Sequence, residues 1–109
     1  MSEKIAMTEE IAERESRAFD TMTGDTIFIT QRDGAFFAYQ NVCPHLQTEL
    51  EFLENQFLDR DGEYIECSTH GALFDVETGE CISGPCLGDK LEKVNIEVHS
   101  DGGIYIVDE

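Results

Sequence analysis

Four side chains able to hold a metal fall in two short clusters, Cys43-Pro44-His45 and Cys67-Ser68-Thr69-His70, with 21 residues between His45 and Cys67. Each cluster offers one soft thiolate and one imidazole. Two thiolates and two imidazoles suit a tetrahedral zinc ion, or a [2Fe-2S] cluster in which two histidines replace two cysteines on one iron. The order of the ligands bears on the choice. A Cys2His2 zinc finger usually takes both cysteines from one element and both histidines from the next, whereas here each loop supplies one of each. A bridged two-iron centre clamped by two loops needs that mixed supply. Either centre would tie two distant points of the chain to one place, a strong constraint on the fold.

Length and charge narrow the class. A chain of 109 residues is the size of one domain and can bury roughly two-thirds of its unfolded surface. Hydrophobic residues make up 40%, too many for a disordered acidic tail, and no apolar run approaches the roughly 18 residues of a membrane span. Met1-Ser2-Glu3-Lys4 shows neither twin arginines nor an apolar export segment, so a soluble, cytoplasmic protein is expected. Asp and Glu number 24 against 7 Lys and Arg, a net charge of -17. Such a field repels nucleic-acid phosphates and anionic lipid head groups, so nucleic acid and membrane are not expected as partners. A partner with a basic docking surface is its natural complement, although acidity can also serve solubility alone.

The coarse pattern is nearly all strand, without repeats or linkers. Strands are expected at Lys4 to Met7, Arg17 to Asp20, Thr26 to Thr30 and Ala35 to Gln40, the last two joined by a turn at Arg32-Asp33-Gly34. Thr8-Glu9-Glu10 resembles an N-capped helical turn. Later strands are expected at Tyr64 to Glu66, Leu73 to Val76, Cys81-Ile82, Leu91 to Val98 and Gly103 to Val107. Only Thr48 to Asn55 hints at helical spacing. Both ligand loops therefore follow strand ends, where a rigid scaffold can hold them.

Cys43-Pro44-His45-Leu46, Cys67-Ser68-Thr69-His70-Gly71-Ala72-Leu73-Phe74-Asp75, Gly79 and the Gly84-Pro85 loop together closely resemble the Rieske iron-sulfur domain. The resemblance runs from about Lys4 to about Val107 and implies an all-β fold: an antiparallel sandwich or barrel base with an inserted cluster-binding subdomain. The base would be built from residues 1–40 and 88–109, and the subdomain from residues 41–87. It further implies one [2Fe-2S] cluster per chain, held by Cys43 and Cys67 on the inner iron and by His45 and His70 on the outer one. The imidazole edges would face solvent, which suits electron transfer and leaves no obvious substrate pocket.

High-potential members of that family carry a cysteine pair bridging the ligand loops, which by position falls on Thr48 and Thr69 here. They also carry a serine and a tyrosine whose hydroxyls bond to cluster sulfurs, where this chain has Ala72 and Phe74. A low-potential centre is therefore expected. Cys81 and Cys86 flank Gly84-Pro85 and are read as small buried hydrophobes rather than extra ligands or a disulfide, and His99 as a surface histidine. No phosphate-binding glycine loop or nucleophile elbow is present. The resulting expectation is an electron-transfer protein, not itself an enzyme, passing electrons from a reductase to a terminal enzyme such as a ring-hydroxylating oxygenase. Two alternatives stand beside it: a small subunit of a larger, nitrite reductase-like assembly, and a zinc-binding interaction module.

Overall fold

The computed structural model describes residues 2–21, 24–41, 57–58, 62–67, 71–84 and 88–107. In chain order its strands are β1 (Ser2–Met7), β2 (Ser16–Asp20), β3 (Thr26–Arg32), β4 (Ala35–Gln40), β5 (Tyr64–Glu66), β6 (Leu73–Asp75), β7 (Cys81–Ser83), β8 (Lys93–Val94), β9 (Ile96–Val98) and β10 (Gly103–Val107). They form three antiparallel sheets, ordered β1-β10-β9, β2-β3-β4-β8 and β5-β6-β7. The all-β class is as expected. A 3-10 turn, Thr8–Glu10, follows β1 where a capped turn was expected. Its cap position is Met7, whose N–H donates to the Glu10 carboxylate at 2.7 Å. The possible helix at Thr48 to Asn55 lies outside the described residues.

The middle sheet explains why β3 reads as an almost unbroken apolar run. Side chains of a strand alternate faces, and a strand covered on both faces needs apolar residues at every position. Ile27 and Ile29 enter a core with Ala6, Ile11, Ala38 and Ile104, on the side of the first sheet. Phe28 enters the opposite core, with Tyr39, Phe57, Ile65, Phe74 and Leu91. β4 repeats the division, Ala38 facing one way and Tyr39 the other. Its register against β3 is set by a two-residue turn in which Asp33 and Gly34 both have positive φ, 54° and 83°. The Glu13 carboxylate accepts both of their N–H groups, at 2.5 and 3.2 Å.

One expected strand divides. Residues 91 to 98 break at Asn95 into β8, which pairs with β4, and β9, which pairs with β10. The chain thus crosses from the middle sheet to the first sheet within a few residues. The Asn95 carbonyl, at the crossing, accepts the Val107 N–H at 3.0 Å, so the exchange leaves that acceptor satisfied. Val76, expected at the end of a strand, instead sits buried in the turn after β6.

Tyr39 ties the middle sheet to that turn. Its ring is fully buried, its hydroxyl donates to the Val76 carbonyl at 2.7 Å, and Gly79 (φ 78°) leaves so little room that an added Cβ would lie 2.7 Å from the ring. Burial raises the Tyr39 pKa above the ordinary phenol range, and the Asp75 and Glu77 carboxylates push it the same way. Tyr39→Phe should therefore cost about 1–3 kcal/mol at pH 7, because it orphans a buried carbonyl. The raised pKa also gives a sign. Stability held through the neutral phenol is complete below the unfolded value of about 10 and falls above it, by up to about 1.4 kcal/mol per pH unit. Denaturant midpoints at pH 7 and pH 11 check both points: the wild type should lose more stability between them than Tyr39→Phe does.

Candidate metal centre

Cys67 is the one expected ligand among the described residues, because Cys43, His45 and His70 lie outside them. It follows β5 directly and is completely buried, in the core shared by Phe28, Tyr39, Phe57, Ile65, Ala72 and Phe74. Two backbone hydrogen bonds close the loop that begins there. The Cys67 N–H donates to the Ala72 carbonyl at 2.9 Å, and the Gly71 N–H donates to the Cys67 carbonyl at 2.7 Å. Gly71 has φ 69°, a left-handed conformation that suits glycine. The chain reverses here between β5 and β6, with Glu66 opposite Leu73. Cys67, Gly71 and Ala72 are thus tied together at this reversal.

Two further supports hold this turn in place. Gly84, with φ 101°, lies against it so closely that a Cβ would come within 2.8 Å of the Ala72 Cα. At the start of β5, the Arg32 guanidinium donates to the Glu63 carbonyl at 2.5 Å, and Arg14 pairs with the Glu63 carboxylate at 3.4 Å. The Arg14–Glu63 pair is half exposed, so its ionic part contributes little on its own. The Arg32 bond is charge-assisted and fastens the strand leading to Cys67 onto the end of β3. Neither arginine stands out in sequence. Arg14 and its partner Glu63 are 49 residues apart, a spacing that carries no local signal.

Chemically the site is soft and dry. A thiol in an apolar core is a poor place for a charge unless a cation compensates it, which fits a thiolate bound to a metal. Among the described residues no group of three His, Cys, Asp or Glu is placed to hold a metal ion. The signature of the Rieske [2Fe-2S] domain matches residues 2–99. The chain belongs to the Rieske [2Fe-2S] domain family. A [2Fe-2S] cluster is accordingly its cofactor, and the donor types at Cys43, His45, Cys67 and His70 suit it.

Relatives agree on the kind of protein. This Rieske domain is 33% identical over 82 residues to the ferredoxin component of the p-cumate 2,3-dioxygenase system of Pseudomonas putida, a match covering 75% of this chain and 66% of that one. It is 41% identical over 66 residues to the biphenyl dioxygenase ferredoxin subunit of Pseudomonas sp. strain KKS102, covering 60% of this chain and 57% of that one. The chain thus spans two thirds or less of these relatives. In fold it resembles the Sphingomonas yanoikuyae B1 ferredoxin, with a TM-score of 0.81 at 23% identity and complete coverage of both chains.

The other candidates fall out as follows. Cys81 is a free thiol, buried in the same core as Cys67, and it donates to the Ser83 carbonyl at 3.3 Å. That agrees with its reading as a small hydrophobe. Cys86 lies outside the described residues, as do Thr48 and Thr69. His99 is exposed, stacked on Tyr105 at 4.1 Å and beside the Glu97 carboxylate. Ala72 and Phe74 are both completely buried in the core that holds Cys67, so neither position presents a hydroxyl to it. No helix among the described residues is long and apolar enough to cross a membrane.

Proposed function

We propose that this Rieske domain is a soluble, cytoplasmic one-electron carrier, passing electrons from a reductase to a terminal enzyme such as a ring-hydroxylating oxygenase. The observation that carries this reading is the family match over residues 2–99, joined to relatives named as ferredoxin components of dioxygenase systems. We assign the cluster to Cys43 and Cys67 on one iron and His45 and His70 on the other. The [2Fe-2S] group supplies reversible one-electron chemistry. The chain supplies the rest. Its buried Cys67 turn limits water on the inner side, and the braced β5–β6 reversal restricts movement of that ligand as charge changes. No separate catalytic residue is assigned.

Cluster identity is the direct test. Iron and acid-labile sulfide should each be about two per chain, and the reduced protein should give an EPR average g value below that of all-cysteine [2Fe-2S] proteins. Near-stoichiometric zinc in protein made with ample iron would instead select the interaction-module alternative.

The acidic surface gives a second expectation. With a net charge of -17, association with a basic redox partner should slow steeply as ionic strength rises from about 10 to 500 mM, since the Debye length shrinks from roughly 30 Å to a few Å. The complex should be transient and bury less than about 1,200 Å². Stopped-flow electron transfer over a salt series measures the slope. A flat rate would leave the charge serving solubility alone.

A further inference from the structure

β7 pairs irregularly with β6. Leu73 lies opposite Ser83 and Phe74 opposite Cys81, which leaves Ile82 as the extra residue of a β-bulge. A bulge breaks the alternation of faces and re-aims a side chain. Here Cys81 turns into the core, while Ile82 is left 45% exposed. Among the described residues the only other exposed large hydrophobic side chain is Val98, on β9 of the first sheet.

A lone exposed isoleucine is ordinary, but the surroundings of this one are not. Two residues beyond it Gly84 packs on Ala72, whose carbonyl accepts the Cys67 N–H, so Ile82 rides on a strand pinned to the second ligand loop. Beside β7 runs the segment 88–92, joined by the Cys81 N–H to the Asp89 carbonyl at 2.9 Å and by a bridge between Glu80 and Lys90. Beside this pairing lies an open groove of about 770 Å³ lined by Thr78, Glu80, Cys81, Asp89, Lys90 and Glu92, and Ile82 follows Cys81 directly on β7. Lys90 is its single cation against three carboxylates. Residues 41–87 as a whole carry ten Asp and Glu and one cation, Arg60.

We propose that Ile82 and the acidic groove beside it are the docking anchor for a redox protein whose contact surface has an apolar recess flanked by lysines or arginines. This rests on the electron-carrier reading and adds where the partner seats. Protein interfaces commonly place an apolar contact at the centre and charge at the rim. The carboxylates would steer the encounter and set its rate, while the isoleucine, desolvated on contact, would hold the complex long enough for transfer. Its position near the Cys67 loop keeps the partner at the cluster end of the chain.

The experiment uses the reduced holo-protein and oxidised, lysine-rich cytochrome c as acceptor, mixed by stopped flow at about 50 mM ionic strength. Ile82→Ser should lower the second-order rate about three- to tenfold with an unchanged midpoint potential, and Ile82→Ala should do the same to a smaller extent. Glu80→Gln with Glu92→Gln should flatten the salt dependence. Val98→Ser, the matched exposed control, should behave as wild type. Rates for both Ile82 variants equal to wild type, or an equal loss in Val98→Ser, would overturn the anchor while leaving the electron-carrier reading intact. Failure of the wild type itself to reduce the acceptor would overturn both.

Discussion

Cys67→Ala should purify without the [2Fe-2S] chromophore, whereas Cys81→Ala should keep it. Both thiols sit in the same core, and neither burial nor residue type separates them. Their placement does. In sequence Cys67 opens the Cys-x-x-His motif, and its backbone is bonded to Gly71 and Ala72 at the β5–β6 reversal, while Cys81 belongs to no such motif and its thiol donates to the Ser83 carbonyl within its own strand. Under the proposed assignment, removing the Cys67 sulfur leaves three donors for a cluster that needs four, and the expected result is loss of nearly all bound iron and sulfide. Removing the Cys81 sulfur leaves a small cavity, with a cost of about 1–2 kcal/mol and an intact visible spectrum. His70→Cys provides the intermediate case: a fourth thiolate keeps the cluster but adds negative charge, so its potential should fall. Iron and sulfide analysis of the variants decides the assignment. A colourless Cys81→Ala protein that remains folded by circular dichroism would show that Cys81, not only Cys67, serves the cluster.

The midpoint potential should lie near the roughly -150 mV end of the range for Rieske centres rather than near +300 mV. An added electron is stabilised by hydrogen bonds to the cluster sulfurs, and hydroxyls at the positions of Ala72 and Phe74 provide them in high-potential relatives. In this chain both positions are fully buried and apolar. A charge-assisted bond of roughly 1.5–3 kcal/mol corresponds to about 65–130 mV for one electron, so the loss of two accounts for much of the difference. Protein-film voltammetry at pH 7 measures the value directly, and a midpoint above about 0 mV would contradict this account. Phe74→Tyr and Ala72→Ser should each raise the potential by about 65–130 mV. Ala72→Ser is the tighter substitution, because Gly84 packs against that residue. Phe74→Tyr is the cleaner test if the serine variant shifts the loop.

The all-β class and the order of strands are legible in the linear sequence because they depend on local chemistry, and the proposed ligand set is drawn from the same source. Cys-x-His and Cys-x-x-His announce their donors, and Asp33-Gly34 marks its hairpin because few residues accept two successive positive φ values. The apolar run at Ile27, Phe28 and Ile29 says that both faces of β3 are covered, though not by what. Seven phenylalanines and three tyrosines can be read as core, yet nothing local singles out Tyr39 as the one whose hydroxyl crosses to Val76.

Tertiary structure alone decided the features that depend on partners distant in the chain. Residues 91 to 98 read as one strand, because β-propensity reports how well a residue suits a pleated surface and not which sheet receives it; the switch at Asn95 exists only once β4 and β10 compete for neighbouring hydrogen bonds. The reach of Arg14 and Arg32 to Glu63, and the contact of Gly84 with Ala72, likewise join residues whose spacing carries no signal. The bulge in β7 is the sharpest case. By alternation from the buried Cys81, Ile82 should face outward and Ser83 inward, but the bulge leaves Ser83 exposed as well. A one-residue shift in pairing costs little within the strand and changes which face every later side chain meets, so only the assembled sheet determines which side chains stay exposed.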